Sequence, residues 1–582
     1  MANFVLVQKN SWALNIKNNF DVACKIVEKY QNCDKNLLIF PENFLIGYPF
    51  GDVLEKFPKI VDDNIKFLEK LAQKTTQNKV IIGFIQRENE NYYNSLAILA
   101  NGQIQKVIKK SDLKNNLILP TEENIIDIDG IKIAVITAEN GYNDKDFSLN
   151  STKFFSIKNL VEKNKIDVLL NCSASISRTN KEHFKHEFLS KIAQNTQLPL
   201  IYVNTVGANE FLSFDGASRV FDKTGKIIAR AKSFEEDILE FSFNVQNRIE
   251  DLPTNSDKPI LENKFDLNYE NDLERTYLSV VQSIKDYFQK TGFKRAVLGL
   301  SGGLDSTVNA VLLCDALGAE NVCGVSMPSS ITTSESKNDA VLLAQNLELN
   351  FLEIPIKNMF EATNKTFDTL FRNVENNWKC RYNKSFTSDN ILARSRATIL
   401  WGIANEFEAC LPIATSDKSE LYMGYATING DMSGGFAPIA DITKTKLFAL
   451  ANWINKNHKI KNVIPQSIID KRPGAELAIN PETNKPLLAE EALMPYEFMD
   501  EVIWRIENFG QTVEQMKSEK FWYEIKENIS AEQKQEWLNK FFRRMSFAHF
   551  KWGLLPLSPI IDWNSINTGE YFQPIISSKI EY

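Results

Sequence analysis

Short runs of apolar residues, bounded by polar or turn-forming residues, recur along the first 245 residues. Such runs are typical of buried strands, whereas apolar positions spaced three or four apart are typical of helices. The predicted strands of this part cover residues 4–7, 37–40, 80–84, 131–136, 168–170 and 200–203. Helical spacing lies between them, for instance over residues 62–73. The first part of the chain is therefore predicted to be α/β.

The same alternation returns in the second half of the chain. Residues 273–289 have helical spacing, and further stretches with helical spacing separate four more apolar runs. The strands predicted here cover residues 294–300, 322–328, 351–356 and 411–416. Strands that alternate with helices favour a parallel, doubly wound sheet, as in a Rossmann-like fold.

A polar segment separates these two parts. Residues 247–271 carry two prolines and show neither the period of a strand nor that of a helix, so they are the best candidate for a linker. A chain of 582 residues is long enough for three or more domains at roughly 100 to 200 residues each. The pattern instead predicts two large domains, residues 1–265 and 266–582, with the boundary near residue 265.

Composition narrows the class of partner. The chain has 67 Lys and Arg against 74 Asp and Glu, a net charge of −7, which predicts no basic surface for nucleic acid or for a membrane and favours a small-molecule partner. Seven cysteines without a C-x-x-C pair and four histidines indicate neither a disulfide framework nor a zinc site. The sequence shows no signal-peptide pattern and no apolar run of about 18 residues, so the cytoplasm is the expected compartment.

A glycine-rich hexapeptide is the strongest local signal. It follows the predicted strand AVLGL, precedes the helical stretch TVNAVLLCDAL, and consists of Ser301, Gly302, Gly303, Leu304, Asp305 and Ser306. Glycines let the backbone approach an anion, and a strand-to-helix turn aims free N–H groups and the positive end of the helix at it. The Walker pattern is absent, and the aspartate inside the loop suits a Mg²⁺ ligand beside a pyrophosphate group. The hexapeptide therefore predicts a phosphate-binding loop.

Two resemblances extend this prediction. The hexapeptide resembles the loop of the ATP pyrophosphatases, which cleave ATP to AMP and pyrophosphate while they activate a carboxyl or carbonyl carbon. Residues 414–440, with KSE followed by GYAT, GDM and GGFAP, closely resemble the NAD⁺ synthetases. SMPSS at 326–330 and AEL at 475–477 are further matches, and the resemblance covers roughly 300 residues.

This resemblance implies a reaction and a set of site residues. The nicotinate carboxylate of deamido-NAD⁺ attacks the α-phosphate of ATP, and ammonia then displaces AMP, so ATP and Mg²⁺ are the expected cofactors. Such transfer needs cations around the polyphosphate. The residues implied at the ATP site, besides the loop, are Arg394, Arg396, Thr415 and Lys418. The residues implied at the deamido-NAD⁺ site are Asn390, Tyr425, Asp431 and Lys444, and the implied magnesium ligands are Asp305 and Glu420.

Several positions depart from the family pattern and motivate other hypotheses. Leu392 replaces the usual Gln, Ser416 and Asp417 replace Gly-Asn before KSE, and residues 472–474 replace Pro-Pro-Ser. One alternative is a non-catalytic partner or regulator that binds nucleotide without turnover. Another is amidation of nicotinate mononucleotide by the same chemistry. Family members of this length are commonly homo-oligomers, and a homo-oligomer is expected here.

The first domain resembles the nitrilases, an α-β-β-α sandwich that hydrolyses glutamine in long NAD⁺ synthetases. Its catalytic set is Glu, Lys and Cys at the ends of three strands. FPENFLIGYPFGD at 40–52 matches the family's first element and makes Glu42 the implied general base. Lys110 matches the second element and is implied to stabilise the oxyanion.

The third element of that catalytic set is missing. Where the family has Cys-Glu-Asp, this sequence has Ala138-Glu-Asn, and alanine offers no nucleophile for the glutamine carboxamide. Ala138 is explained either by an engineered Cys-to-Ala substitution or by natural decay of the glutaminase. Decay is favoured, because LKNNLILPTEE after Lys110 and Ser175-Ile-Ser also depart from the family. Free ammonia is then the expected nitrogen source, and Cys172 is expected to be a small buried residue.

Overall fold

The computed structural model divides the chain into two compact units, Met1–Asn271 and Asp272–Tyr582. It describes residues 2–31, 36–89, 91–112, 119–137, 152–244, 248–250, 271–378, 384–471, 474–479, 486–518, 530–562 and 565–566. The predicted boundary near residue 265 lies outside the described residues. The predicted linker is shorter than expected at both ends, because residues 248–250 form a strand and a helix begins at Asn271.

The first unit is built from fifteen strands and five helices among the described residues. The strands are β1 Ala2–Gln8, β2 Asn36–Ile39, β3 Lys79–Glu88, β4 Asn91–Ala100, β5 Gln103–Asp112, β6 Ile125–Ile128, β7 Ile131–Val135, β8 Val168–Ser173, β9 Leu200–Asn204, β10 Val206–Asn209, β11 Leu212–Asp215, β12 Arg219–Phe221, β13 Ile227–Arg230, β14 Asp237–Asn244 and β15 Arg248–Glu250. The helices are α1 Ile16–Lys29, α2 Val53–Lys56, α3 Lys59–Ala72, α4 Thr152–Lys163 and α5 Lys181–Thr196.

These strands form two large sheets that pack face to face. One sheet has the order β15-β14-β1-β2-β3-β4-β5 and the other β13-β12-β9-β8-β7-β6, with β10 and β11 as a separate pair. Alternation along β1 shows how the layers arise: Phe4 and Leu6 enter the core between the sheets, whereas Val5 and Val7 enter the core beneath the helices α1 and α3. Helices α4 and α5 cover the outer face of the second sheet. The unit is the predicted α-β-β-α sandwich.

The second unit contains a small parallel sheet surrounded by helices. Its strands among the described residues are β16 Arg295–Gly299, β17 Val322–Ser326, β18 Asn350–Glu353, β19 Cys410–Pro412, β20 Gly474–Ile479 and β21 Pro486–Leu488. Its helices are α6 Asn271–Thr291, α7 Leu304–Leu317, α8 Ser334–Leu347, α9 Lys357–Trp378, α10 Lys384–Glu406, α11 Lys418–Tyr422, α12 Lys444–Asn457, α13 Gln466–Asp470, α14 Ala489–Ala492, α15 Tyr496–Phe509, α16 Val513–Ser518 and α17 Ala531–Trp552.

The sheet of the second unit has the order β18-β17-β16-β19, and all of its pairs are parallel. Helices α6, α7, α8 and α12 pack on one face, and α10 packs on the other, so the sheet is doubly wound as predicted. The fourth predicted strand is shorter than expected, since β19 ends at Pro412 and residues 413–416 run on as a loop. Within the described residues no helix has both the length and the apolar composition to cross a membrane.

Candidate functional site

The strand order places two loops at one point of the second unit. The chain leaves β16 toward β17 on one side and reaches β19 on the other, so the direction of winding reverses between β16 and β19. In open α/β sheets, ligands bind outside the carboxyl ends of the strands at such a switch point. The loop 301–306 follows β16, and the segment 413–420 follows β19. The predicted phosphate loop therefore lies where this fold class binds ligands.

Glycine is required inside the loop by its geometry. Gly302 has φ +76°, and a β-carbon there would lie 2.1 Å from the carbonyl oxygen of Ser336. Gly303 is the N-cap of α7, with an extended backbone. The loop's hydroxyls bond to one another: Ser301 Oγ lies 3.2 Å from Ser306 Oγ and accepts from Gly303 N at 3.1 Å. A tight turn at a helix N-terminus, held by its own serines, is suited to a phosphate group.

Three carboxylates and one lysine meet beside this loop. Lys444 Nζ lies 2.6 Å from Asp305 Oδ1, 2.5 Å from Asp417 Oδ2 and 3.1 Å from Glu420 Oε1. Asp417 is the N-cap of α11, and its side chain accepts from Glu420 N. One oxygen from each carboxylate lies within 4.8 Å of the other two, which is a spacing that a divalent cation can bridge. We refer to these four residues as the carboxylate cluster.

The electrostatics show that the carboxylate cluster is short of positive charge. Burial raises the pKa of Asp417 to about 7, although Lys444 lowers it in part. Burial also raises the pKa of Glu420 well above its ordinary value. Burial alone lowers the pKa of Lys444, but the three carboxylates outweigh it and hold that pKa well above the ordinary value. Oxygen donors in this number and spacing fit Mg²⁺.

Lys418, which was predicted at the ATP site, lies in a different set of contacts. Its side chain is fully buried, and Nζ lies 2.7 Å from Glu507 Oε2, 3.1 Å from Asp441 Oδ1 and 3.4 Å from Asp562 Oδ2. Burial lowers the pKa of Lys418, but these carboxylates outweigh it and hold the pKa well above its ordinary value. The ammonium group is therefore neutralised by the protein itself, and its predicted contact with ATP stays a prediction.

The remaining predicted residues lie on α10 or in the chain that follows β19. Arg394 Nε donates to the carbonyl of Ile428 at 3.1 Å, and Arg396 Nε donates to that of Met327 at 3.4 Å. Arg394, Arg396 and Asn390 all lie on α10. Asp431 accepts from Ser416 Oγ at 3.1 Å and from Thr427 N at 2.7 Å.

Two of the predicted residues belong to the chain around α11. Thr415 is half-buried in the segment between β19 and α11. The backbone N–H of Tyr425 donates to Glu420 O at 2.9 Å, and burial raises the pKa of the Tyr425 phenol. The structure thus gathers Asp305, Glu420 and Lys444 into one cluster and places Tyr425 beside it.

Two residues of this region were not predicted from the sequence. Asp417 appeared only as a departure from the family pattern, although an aspartate three positions before Glu420 is the signal of a helix N-cap. Lys471 Nζ donates to Ser336 Oγ, and the backbone of Ser336 packs against Gly302 of the phosphate loop. No local signal marks Lys471, because its position next to the loop depends on the packing of α8 and α13.

The nitrilase-like unit brings two of its three predicted residues into contact. Lys110 Nζ lies 2.5 Å from Glu42 Oε2 and also donates to the carbonyl of Cys172. Glu42 further accepts from Asn94 Nδ2 at 2.9 Å and from Ala174 N at 2.8 Å. Both charged side chains are buried, so each neutralises the other. A buried carboxylate and a buried lysine are thus held together just after the carboxyl end of β2.

The third predicted position, Ala138, lies outside the described residues. Strand β7 ends at Val135, and the described chain resumes at Thr152. Cys172 is fully buried in the core between the two sheets, as expected for a small apolar residue.

The comparisons with known proteins agree with both units. The carbon-nitrogen hydrolase family matches residues 5–248, and the NAD synthase family matches residues 276–542. The chain is 33% identical over 534 residues to the glutamine-dependent NAD(+) synthetase of Aquifex aeolicus, a match that covers 86% of this chain and 88% of that protein. It is 31% identical over 547 residues to the enzyme of the same name from Thermotoga maritima, covering 89% and 90%.

Solved structures give the same picture. The glutamine-dependent NAD+ synthetase of Acinetobacter baumannii, in complex with ADP, has a TM-score of 0.69 at 25% identity and covers 100% of this chain and 99% of its own. The glutamine-dependent NAD(+) synthetase of Cytophaga hutchinsonii has a TM-score of 0.77 at 20% identity, covering 99% and 97%, and shows the shared fold.

Proposed function

Since this chain belongs to the family of glutamine-dependent NAD(+) synthetases, we propose that it amidates deamido-NAD⁺ to NAD⁺ with nitrogen drawn from free ammonia. The family reaction consumes ATP and releases AMP and pyrophosphate. The ammonia source is supported by one observation: alanine stands at position 138, where the family's nucleophilic cysteine belongs. Loss of a nucleophile lowers kcat by up to about a millionfold.

The synthetase chemistry proceeds in two steps. A carboxylate oxygen of the nicotinate group attacks the α-phosphorus of ATP, and the bond from that phosphorus to the bridging oxygen breaks, so pyrophosphate leaves. Ammonia then attacks the carboxyl carbon, AMP leaves, and the amide loses a proton to solvent. The loop 301–306 binds the phosphates through its N–H groups and the N-terminus of α7. The Acinetobacter baumannii enzyme was solved in complex with ADP, which supports an adenine nucleotide as a ligand of this chain.

Magnesium completes the proposed ATP site. Asp305 and Glu420 would hold it, and the fit rests on carboxylate oxygens that lie within 4.8 Å of one another. The ion supplies positive charge against the polyphosphate. Arg394 and Arg396 add cationic charge toward ATP, with Thr415 and Lys418 as further proposed contacts. Residues proposed to contact deamido-NAD⁺ are Asn390, Tyr425, Asp431 and Lys444.

The nitrilase-like unit is proposed to be inactive as a glutaminase. Glu42 and Lys110 are retained and bonded to each other, which supports an intact sandwich. Without a nucleophile at 138, no thioester with glutamine forms. The cytoplasm is the expected compartment from composition, and a homo-oligomer is expected from the size of the chain and the general prevalence of symmetric assembly.

Nitrogen-source assays test this proposal. Purified protein receives ATP, Mg²⁺ and deamido-NAD⁺, with either an ammonium salt or glutamine, and NAD⁺ formation is followed. We expect NAD⁺ with ammonium and none above the ammonia-free background with glutamine. Equal rates with the two nitrogen sources would contradict a disabled glutaminase, whereas no NAD⁺ with either would contradict the assignment of the synthetase site.

A further inference from the structure

The carboxylate cluster contains a cation of its own. Lys444 Nζ lies within 3.1 Å of all three carboxylates, and its side chain has no exposed surface. A metal ion held by Asp305 and Glu420 would draw on two of those carboxylates. An ammonium group and a divalent cation that need the same carboxylates compete for them, because each offers positive charge at the same place.

The three carboxylates are not equivalent toward this lysine. Asp417 is fully buried, whereas the Asp305 side chain is 25% exposed and that of Glu420 18% exposed. The two partly exposed carboxylates are the ones open to an incoming ion. Asp417 is anchored as the N-cap of α11, so it stays in place when its neighbours change partners.

Formal charges define what the cluster lacks. When all three carboxylates are ionised, they carry three negative charges against one positive charge of Lys444, which leaves two uncompensated. One divalent cation balances that deficit. An asparagine at 417 would leave a deficit of only one. Asp417 therefore supplies the charge that lets the lysine and a divalent ion be present together.

We propose that Lys444 is an internal counter-ion that occupies the metal site until a metal ion displaces it from Asp305 and Glu420, and that Asp417 is the positioning residue that retains the lysine afterwards. With a divalent ion present, Asp305 and Glu420 would hold it, and the ammonium group of Lys444 would stay on Asp417. This inference rests on the proposed magnesium site. It adds that the metal ion competes with Lys444 for Asp305 and Glu420.

Binding of Mn²⁺ in the absence of nucleotide tests this inference. Free Mn²⁺ is quantified by its electron paramagnetic resonance signal, with all variants at the same pH in oxygen-free buffer so that Mn²⁺ stays divalent and in solution. Lys444→Gln removes the competing cation, and we expect its Mn²⁺ dissociation constant to fall by about tenfold or more. In Asp417→Asn the lysine loses its buried charged partner and competes with Mn²⁺ for Asp305 and Glu420. We expect the Mn²⁺ dissociation constant of this variant to rise by about tenfold or more.

Lys446→Gln is the matched control, because Lys446 lies on the same helix and contacts Asp272 and Asp562 outside the cluster. Its Mn²⁺ affinity should equal that of the wild type. A folded Lys444→Gln variant with unchanged or weaker Mn²⁺ binding overturns the inference, and so does unchanged binding by Asp417→Asn. If Lys444→Gln does not fold, as judged by its thermal transition, Asp417→Asn decides alone.

A wild-type measurement separates the two proposals. Wild-type protein that forms NAD⁺ only with Mg²⁺ but binds no Mn²⁺ without nucleotide overturns the inference and leaves the proposed function standing. Wild-type protein that forms NAD⁺ without any divalent ion overturns the proposed magnesium site.

Discussion

Buried lysines at the second unit's switch point are held by carboxylates rather than by water. Lys418 and Lys444 have no exposed side-chain surface, and each has three carboxylate oxygens within 3.4 Å. Taking an ion out of water costs several kcal/mol, so a buried charge persists only with such partners. The two lysines differ in the elements to which their carboxylate partners belong. The partners of Lys444 belong to the phosphate loop and α11, whereas Glu507 and Asp562 tie Lys418 to α15 and the chain after α17.

The buried carboxyl group of Glu507 should make the stability of the fold depend on pH. Burial raises the pKa of Glu507 from 4.5 to about 7, with Lys418 opposing that rise. Between these two values the folded protein keeps a proton that the unfolded chain has lost, so the stability of the fold falls as pH rises through this range. The slope approaches about 1.4 kcal/mol per pH unit. Glu507→Gln titrates in neither state and should lose less stability over the same range.

Calorimetric melting of wild type and Glu507→Gln at a series of pH values from 4.5 to 7 measures this difference. We expect the thermal midpoint of the wild type to fall relative to that of the variant as pH rises. Parallel pH curves for the two proteins would show that Glu507 is ionised throughout.

Among the elements, the turn between β16 and α7 is held on both sides. Gly302 adopts a left-handed backbone and lies against Ser336 at the start of α8, so the loop is held by two helices at once. The strand fixes where the loop begins, and the first turn of α7 fixes where it ends. A loop held at both ends presents its N–H groups in one geometry, which favours phosphate binding.

Two glycines with similar positive φ angles separate the effect of an atomic overlap from that of backbone strain. Gly302→Ala places a β-carbon 2.1 Å from Ser336 O and should strain the loop by about 1–3 kcal/mol. We expect kcat/KM for ATP to fall by about tenfold or more. Gly292→Ala is the control. Gly292 has φ +87°, and a β-carbon there would have no atom within 4 Å, so this variant has the backbone strain without the overlap. Activity lost equally in both variants would mean that strain, not loop geometry, is responsible.

Across the whole molecule, each unit has cores of its own and a site of its own. The sandwich buries one core between its sheets and one beneath each helix layer. The second unit buries its core on both faces of the parallel sheet and adds a further helical core. Substitution of a single residue in the first unit is therefore expected to leave the cores of the second unit intact, which is compatible with the proposed synthetase without a working glutaminase.

The prediction for the whole molecule concerns restoration of that glutaminase. Ala138→Cys returns the missing nucleophile to a unit that retains Glu42 and Lys110 in contact with each other. Because residues 113–123 and 175–177 also depart from the family pattern, we expect glutamine to support NAD⁺ formation at well below the rate with ammonium. The two nitrogen sources are compared in the same assay, with wild type as the control. Equal rates in Ala138→Cys would mean that the nucleophile alone was missing.

The sequence by itself determined the α/β character of both units and the place of the glycine-rich loop, because each depends on local order: period, turn residues and a short motif. The phosphate-binding role of that loop and the loss of the nucleophile at 138 stay predictions. It predicted Asp305 and Glu420 together through family resemblance. Only the tertiary structure decided which charges meet. Lys444 contacts Asp305 across 139 positions, and Lys418 contacts Asp562 across 144. Such contacts follow from strand order and helix packing, which place segments distant in the sequence side by side. No local sequence pattern predicts them.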